Sequence, residues 1–224
     1  MNNRTGSPAA RIIALAIAVI VSTLPLAAGS GGSVYSRFGI GDLRFASSTR
    51  LFGMGGTSAA YRPAGSINDV NPASWSDIST VRFSVTALYE GFKTDDGAAS
   101  AYLAGMFLNG LSLAIPVDSG LGITFGAGVA PYSRIKYHVV GPVNTAGFDY
   151  TLTRIGEGGI SRAFVGISAT IVPGLSAGAE FNYYFGSSQY ILKQTFGGTT
   201  YVGTELTRTE NVRGAGSTFG FLYD

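Results

Sequence analysis

A chain of 224 residues can build a sizeable core, yet only 12% of its residues are charged, while 33 are glycine and 12% are aromatic. High apolar content with low charge excludes disorder, and the absence of cysteine excludes disulfides and thiolate chemistry. A formal charge of +2 offers no global attraction for nucleic acid, so that class of partner is excluded as well.

The first residues read as a secretory signal. Arg4 and Arg11 make a positive start, Ile12 to Ala28 carries no charge, and Ala27, Ala28, Gly29 and Ser30 offer small residues for cleavage. The run is short for a membrane anchor, and Pro25 interrupts it. Residues 1–29 are therefore expected to be a signal peptide. Its removal takes both arginines and leaves a neutral mature chain.

Residues 30–80 contain SVYSRFGIGDL and GMGGTSAAYRPAGSINDVNPASWSDI and show no sustained period of two. They are expected to form a compact irregular segment. Gly53, Gly55, Gly56 and Thr57 lack the lysine and following helix of a phosphate loop, so these glycines read as turn formers.

From Val81 onward, alternation takes over. Val81, Phe83, Val85, Ala87 and Tyr89 oppose Arg82, Ser84, Thr86 and Glu90, with Leu88 as an exception. In 121–137, Leu121, Ile123, Phe125, Ala127, Val129, Ile135 and Tyr137 oppose Gly122, Thr124, Gly126, Gly128, Arg134 and Lys136. Leu175, Ala177, Ala179, Phe181, Tyr183 and Phe185 oppose Ser176, Gly178, Glu180 and Asn182. Segments 106–117 and 159–172 alternate less cleanly, and Phe219, Phe221 and Tyr223 mark a last strand at 216–224.

The connections separate a membrane barrel from a soluble sandwich. Asp118-Ser119-Gly120 and Pro173-Gly174 are short, whereas 93–105, 138–158 and 193–213 read as long loops. Strict alternation of short and long is what short periplasmic turns and long outer loops produce. The expected fold is all-β, a transmembrane antiparallel barrel whose N-terminal portion is residues 81–224, in the outer membrane of a Gram-negative bacterium. The six strands fall short of the roughly eight of the smallest barrels, so the chain is expected to be part of a longer barrel or to pair with copies of itself.

Charges on strands are tolerated where they face an aqueous lumen or the aqueous ends, because an arginine facing mid-bilayer lipid costs about 2–4 kcal/mol. Parity assigns Arg82, Glu90, Arg134, Lys136 and Glu180 to the lumen face, with Arg162 too near a strand end to assign. His138, the single histidine, has no cysteine or second histidine with which to hold zinc or activate a nucleophile. Neither a catalytic constellation, a metal site nor a cofactor site is expected, and so no enzyme.

The stretches SRFGIGDL, GMGGTSAAY and NPASW, followed by GGISRAFVGISATIVPGLSAGAEFNYYFGS, resemble outer-membrane transport proteins of the long-chain fatty-acid transporter (FadL-like) family, of Bacteroidetes and Chlorobi type. The resemblance implies a barrel of about 14 strands, with residues 30–80 folded inside as a hatch. It places Asn71, Pro72 and Ala73 at the end of that hatch, where an Asn side chain can bond free backbone groups and Pro fixes a turn. It further implies passive uptake of hydrophobic small molecules such as long-chain fatty acids, with outer-membrane lipid as surroundings. The second expectation is an accessory outer-membrane barrel that binds exported proteins or a secretion machine, through its long outer loops.

Overall fold

The computed structural model describes residues 32–44, 48–62, 66–95, 97, 100–145, 148–197 and 201–224. The expected signal peptide, 1–29, lies outside the described residues. The chain is mostly β. Six long strands, β2 (Arg82–Asp95), β3 (Ser100–Asp118), β4 (Ile123–Thr145), β5 (Phe148–Val172), β6 (Leu175–Phe196) and β7 (Thr204–Tyr223), pair antiparallel in chain order. The two-residue strand β1 (Asp42–Leu43) attaches to β4. The sheet is open: β2 and β7 are its two edges rather than each other's partners, so the expected closed barrel is not formed by these six strands.

The short turns sit where the sequence places them. In the first, Asp118 Oδ1 accepts from Gly120 N at 2.8 Å and Leu121 N at 3.1 Å, the local bonding that makes Asp a turn residue. In the second, Pro173 and Gly174 join β5 to β6. The opposite end differs from expectation. Segments 138–158 and 193–213 are not long loops; their residues continue β4 into β5 and β6 into β7, leaving only 146–147 and 197–203 between strands. Most of 93–105 is likewise strand. What distinguishes the two ends is the reach of the strands.

Lower in the sheet, one face is apolar and exposed, with Phe83, Ile115, Phe125, Val165, Ile167, Phe181 and Phe219 on successive strands. The other face is small and polar: Ser112, Thr124, Ser168, Ser176 and Asn182 are buried there, beneath the N-terminal segment. That segment contains a 3-10 turn at Val34–Arg37, a short helix at Thr49–Gly53 ended by Gly55 and Gly56 at positive φ, and a second 3-10 turn at Pro72–Asp77. The last of these lies against β4, β5, β6 and β7.

Glycine makes this contact close. A Cβ on Gly126 would collide with the Trp75 ring, and one on Gly178 with the backbone of Pro72 and Ala73; Gly166 and Gly220 meet the same turn. Trp75 is fully buried there, with Ile67, Ile78, Ala114 and Phe164 forming the core around it.

Gly178→Val is expected to unseat the Pro72–Asp77 turn at a cost of about 2 kcal/mol, as overpacking of a tight contact does. Limited proteolysis of the purified protein checks this: cleavage within residues 48–80 should quicken while the strands stay protected.

Candidate functional site

The NPA motif caps the second 3-10 turn. Asn71 Oδ1 accepts from Ala73 N at 3.0 Å, as an N-cap does, and Pro72 occupies the first position, where no N–H is needed. The same Asn71 donates to Ala59 O at 2.6 Å and to Phe221 O of β7 at 3.3 Å, so one side chain ties the cap to the wall. Ser76 Oγ reaches Ser176 Oγ at 2.9 Å, and Trp75 Nε1 donates to Asn68 O at 2.6 Å.

Beside this seat lies an ion cluster built on Arg162, which parity left unassigned, and Glu180, which parity gave to the lumen face. Arg162 of β5 donates to Asp69 Oδ2 at 2.6 Å and approaches Glu180 Oε1 of β6 at 3.5 Å. The Glu180 side chain is fully buried and that of Asp69 nearly so. One guanidinium thus serves two carboxylates, and Glu180 Oε2 and Asp69 Oδ1 have no hydrogen-bond partner among the described residues. The cluster joins the irregular segment to two strands at once. The sequence signal was available in Asn68-Asp69 just ahead of the NPA motif, but nothing in the pattern pairs them with Arg162.

A second cluster sits where β3 and β4 part. Arg44, which follows β1, forms a bidentate pair with Glu90 of β2, and Arg134 of β4 lies 3.9 Å from the same carboxylate. Both guanidinium carbons stack over the Phe107 ring, at 4.9 and 4.3 Å. Asp42 completes the group, and burial raises its carboxyl above the ordinary range despite the opposing pull of Arg44 and Arg134.

Parity had grouped Arg134 and Lys136 with Gly126 and Gly128. A bulge between Pro131 and Ser133 shifts the alternation, so Arg134 and Lys136 pair with Gly159 and Glu157, on the opposite face from Phe164 and Gly166. Ile135 and Ser133 take the buried face in their place. Arg82 remains on the face of Ser84 and Thr86, half-buried. His138 stands exposed on β4 rather than in a loop. Among the described residues no three His, Asp or Glu side chains are grouped to hold a metal. These arrangements bind one segment of the chain to another; they contain no nucleophile with a base and orienting group.

A family model described as BamG matches residues 10–224. The chain belongs to the BamG family. That family comprises accessory components of the β-barrel assembly machinery, associated with the outer membrane of Gram-negative bacteria, and its members are not enzymes. No curated protein and no solved structure matches the chain. BamG membership overturns the FadL-like assignment, and with it the expected uptake of fatty acids and the hydrophobic small-molecule ligand. It backs the second expectation, an accessory outer-membrane barrel that binds exported proteins or a secretion machine, better than the first.

Three substitutions separate the clusters' roles. Arg162→Leu, leaving two buried carboxylates without a cation, is expected to cost about 3 kcal/mol, and adding Asp69→Asn should restore part of it. Asp42→Asn, which removes a charge that burial already disfavours, should leave stability unchanged or raised. Thermal unfolding of the purified variants in detergent measures both.

Proposed function

We propose that residues 81–224 form the N-terminal part of the wall of an outer-membrane barrel, that residues 30–80 are its plug after a signal peptide of residues 1–29, and that the assembled protein is an accessory subunit of the β-barrel assembly machinery. Family membership carries the functional half of this reading. The sidedness of the sheet supports the structural half.

On β6 the outward apolar residues run from Ala177 to Phe185, a rise of about 27 Å, close to the roughly 25 Å apolar band of outer-membrane barrels. Above that level the contrast between faces fades, with Arg154, Gln194 and Arg208 inward and Val140 and Ile191 outward. Thr153, Lys193 and Glu205 now point outward, the last two in a 3.0 Å ion pair. On the inward face the Tyr150 and Phe196 rings meet at a tilt, their centroids 5.6 Å apart, and Leu152, Leu192 and Leu206 lie alongside. A wall that leaves lipid for water gives up its continuous apolar outer surface, because that surface no longer has lipid to cover it.

On this reading Arg82, Glu180 and the plug's Asp69 belong to an enclosed interior, and Asn71, Pro72 and Ala73 form the plug's seat. The partners are proteins of the assembly machinery, and the tall strands bring the wall's upper half within their reach.

The test is affinity purification of the tagged full-length gene product from outer membranes solubilised in mild detergent. Subunits of the assembly machinery are expected in stoichiometric amounts. Recovery of the protein alone, beside an assembly machinery complete without it, would overturn the reading.

A further inference from the structure

β3 and β4 pair only from Leu111–Val129 down to Asp118–Ile123. Above that level each continues along its far neighbour alone, β3 along β2 as far as Ser100 and β4 along β5 as far as Thr145. Two bulges mark the parting: Asn109 is the extra residue of β3, and the break at Pro131/Ser133 lies on β4. The result is a slot between two strand edges.

The N-terminal segment fills the lower end of the slot as a surrogate strand. Arg44 N donates to Tyr132 O at 2.9 Å, and β1 sets Asp42 against Arg134 and Leu43 against Ser133. The Ser36 hydroxyl accepts from Lys136 N at 3.1 Å and donates to Lys136 O at 3.2 Å. These bonds identify the backbone groups of β4 that face the slot. They are those of Tyr132 and Lys136, and by strand alternation those of His138, Val140 and Pro142. Pro142 has no N–H to present there, and an edge proline limits strand addition. Pairing on β4 above the surrogate strand is thus confined to His138 and Val140.

The facing edge is unguarded. Ser100–Leu108 of β3 contains no proline and, among the described residues, pairs with no strand on the slot side. Its Tyr102, Met106 and Leu108 belong to the outward apolar face, beside Tyr89 and Ala87. A long apolar edge of this kind is a template for another strand.

We propose that the slot takes an extended segment of a partner protein by strand addition, continuing upward the position in the sheet that β1 occupies below. The inference rests on the accessory-subunit reading and supplies its point of contact. The occupant is polypeptide rather than lipid, because the slot's walls are rows of backbone donors and acceptors. Another strand satisfies these, and an acyl chain does not. Its side chains alternate, with apolar ones on the side of Met106 and Leu108.

The test places a photo-crosslinking residue at Met106, His138 or, as a mid-sheet control, Gln189 of the full-length gene product in outer membranes of its native host. Protein adducts are expected at Met106 and His138 and none at Gln189. Val140→Pro removes one slot-facing N–H while sparing the ladder to β5, and should lower the adduct at Met106 about fivefold, the worth of one backbone hydrogen bond. Adducts to lipid alone, equal protein adducts at all three positions, or a yield unmoved by Val140→Pro in a natively heat-modifiable protein would overturn the proposal. Should Val140→Pro fail to fold, the adduct pattern of the otherwise native chain decides. If machinery subunits co-purify while the slot stays unlabelled, the slot assignment alone falls; if none co-purify, the accessory reading falls with it.

Discussion

The contact between the Pro72–Asp77 turn and the glycines of four adjacent strands is the constraint on which the rest of the structure depends. Backbone meets backbone there, at Gly178 against Pro72 and Ala73, with the Trp75 ring close against Gly126 and Gly166. Buried polar groups are costly unless paired. The close approach permits the pairing: Asn71 reaches Phe221 O, Ser76 reaches Ser176, and Arg162 reaches Asp69. Side chains of ordinary size on these strands would hold the segment away, leaving Glu180 and Asp69 buried without their cation. The high glycine content, odd for a soluble domain, has its physical use here.

Where side-chain contrast between faces is strong, the strands were legible. Leu175 to Phe185 alternates apolar against small polar, and the structure places β6 there. Where contrast fades, they were not. In 138–158 valine and threonine fall on both faces, and turn-like Gly141, Pro142 and Asn144 invited a loop reading. Parity also carried no information across a bulge. One extra residue at Pro131–Ser133 turned Arg134 and Lys136 over, and the proline there, which brings no N–H to the ladder, was the one available hint.

The site was legible in part. Asn71 and Pro72 stood out as a capping pair, but the partner of Asp69 lies 93 residues away and no local pattern names it. The glycine-rich segment, the NPA motif and the barrel-like hairpins suggested a transporter, because an irregular segment packed closely on a sheet requires those residue types whatever the assembled protein does. Family membership, not this shared packing, decides the function.

The whole account turns on one surface bordering lipid and the other bordering the plug. Depth-dependent quenching by spin-labelled lipids measures that directly, with single fluorophores on the full-length protein reconstituted in bilayers. Probes at Ile167, Phe181 and Phe219 should be quenched, and probes at Lys193 and Thr218 should not. Equal quenching on both faces, or none at Phe181 and Phe219, would contradict the account.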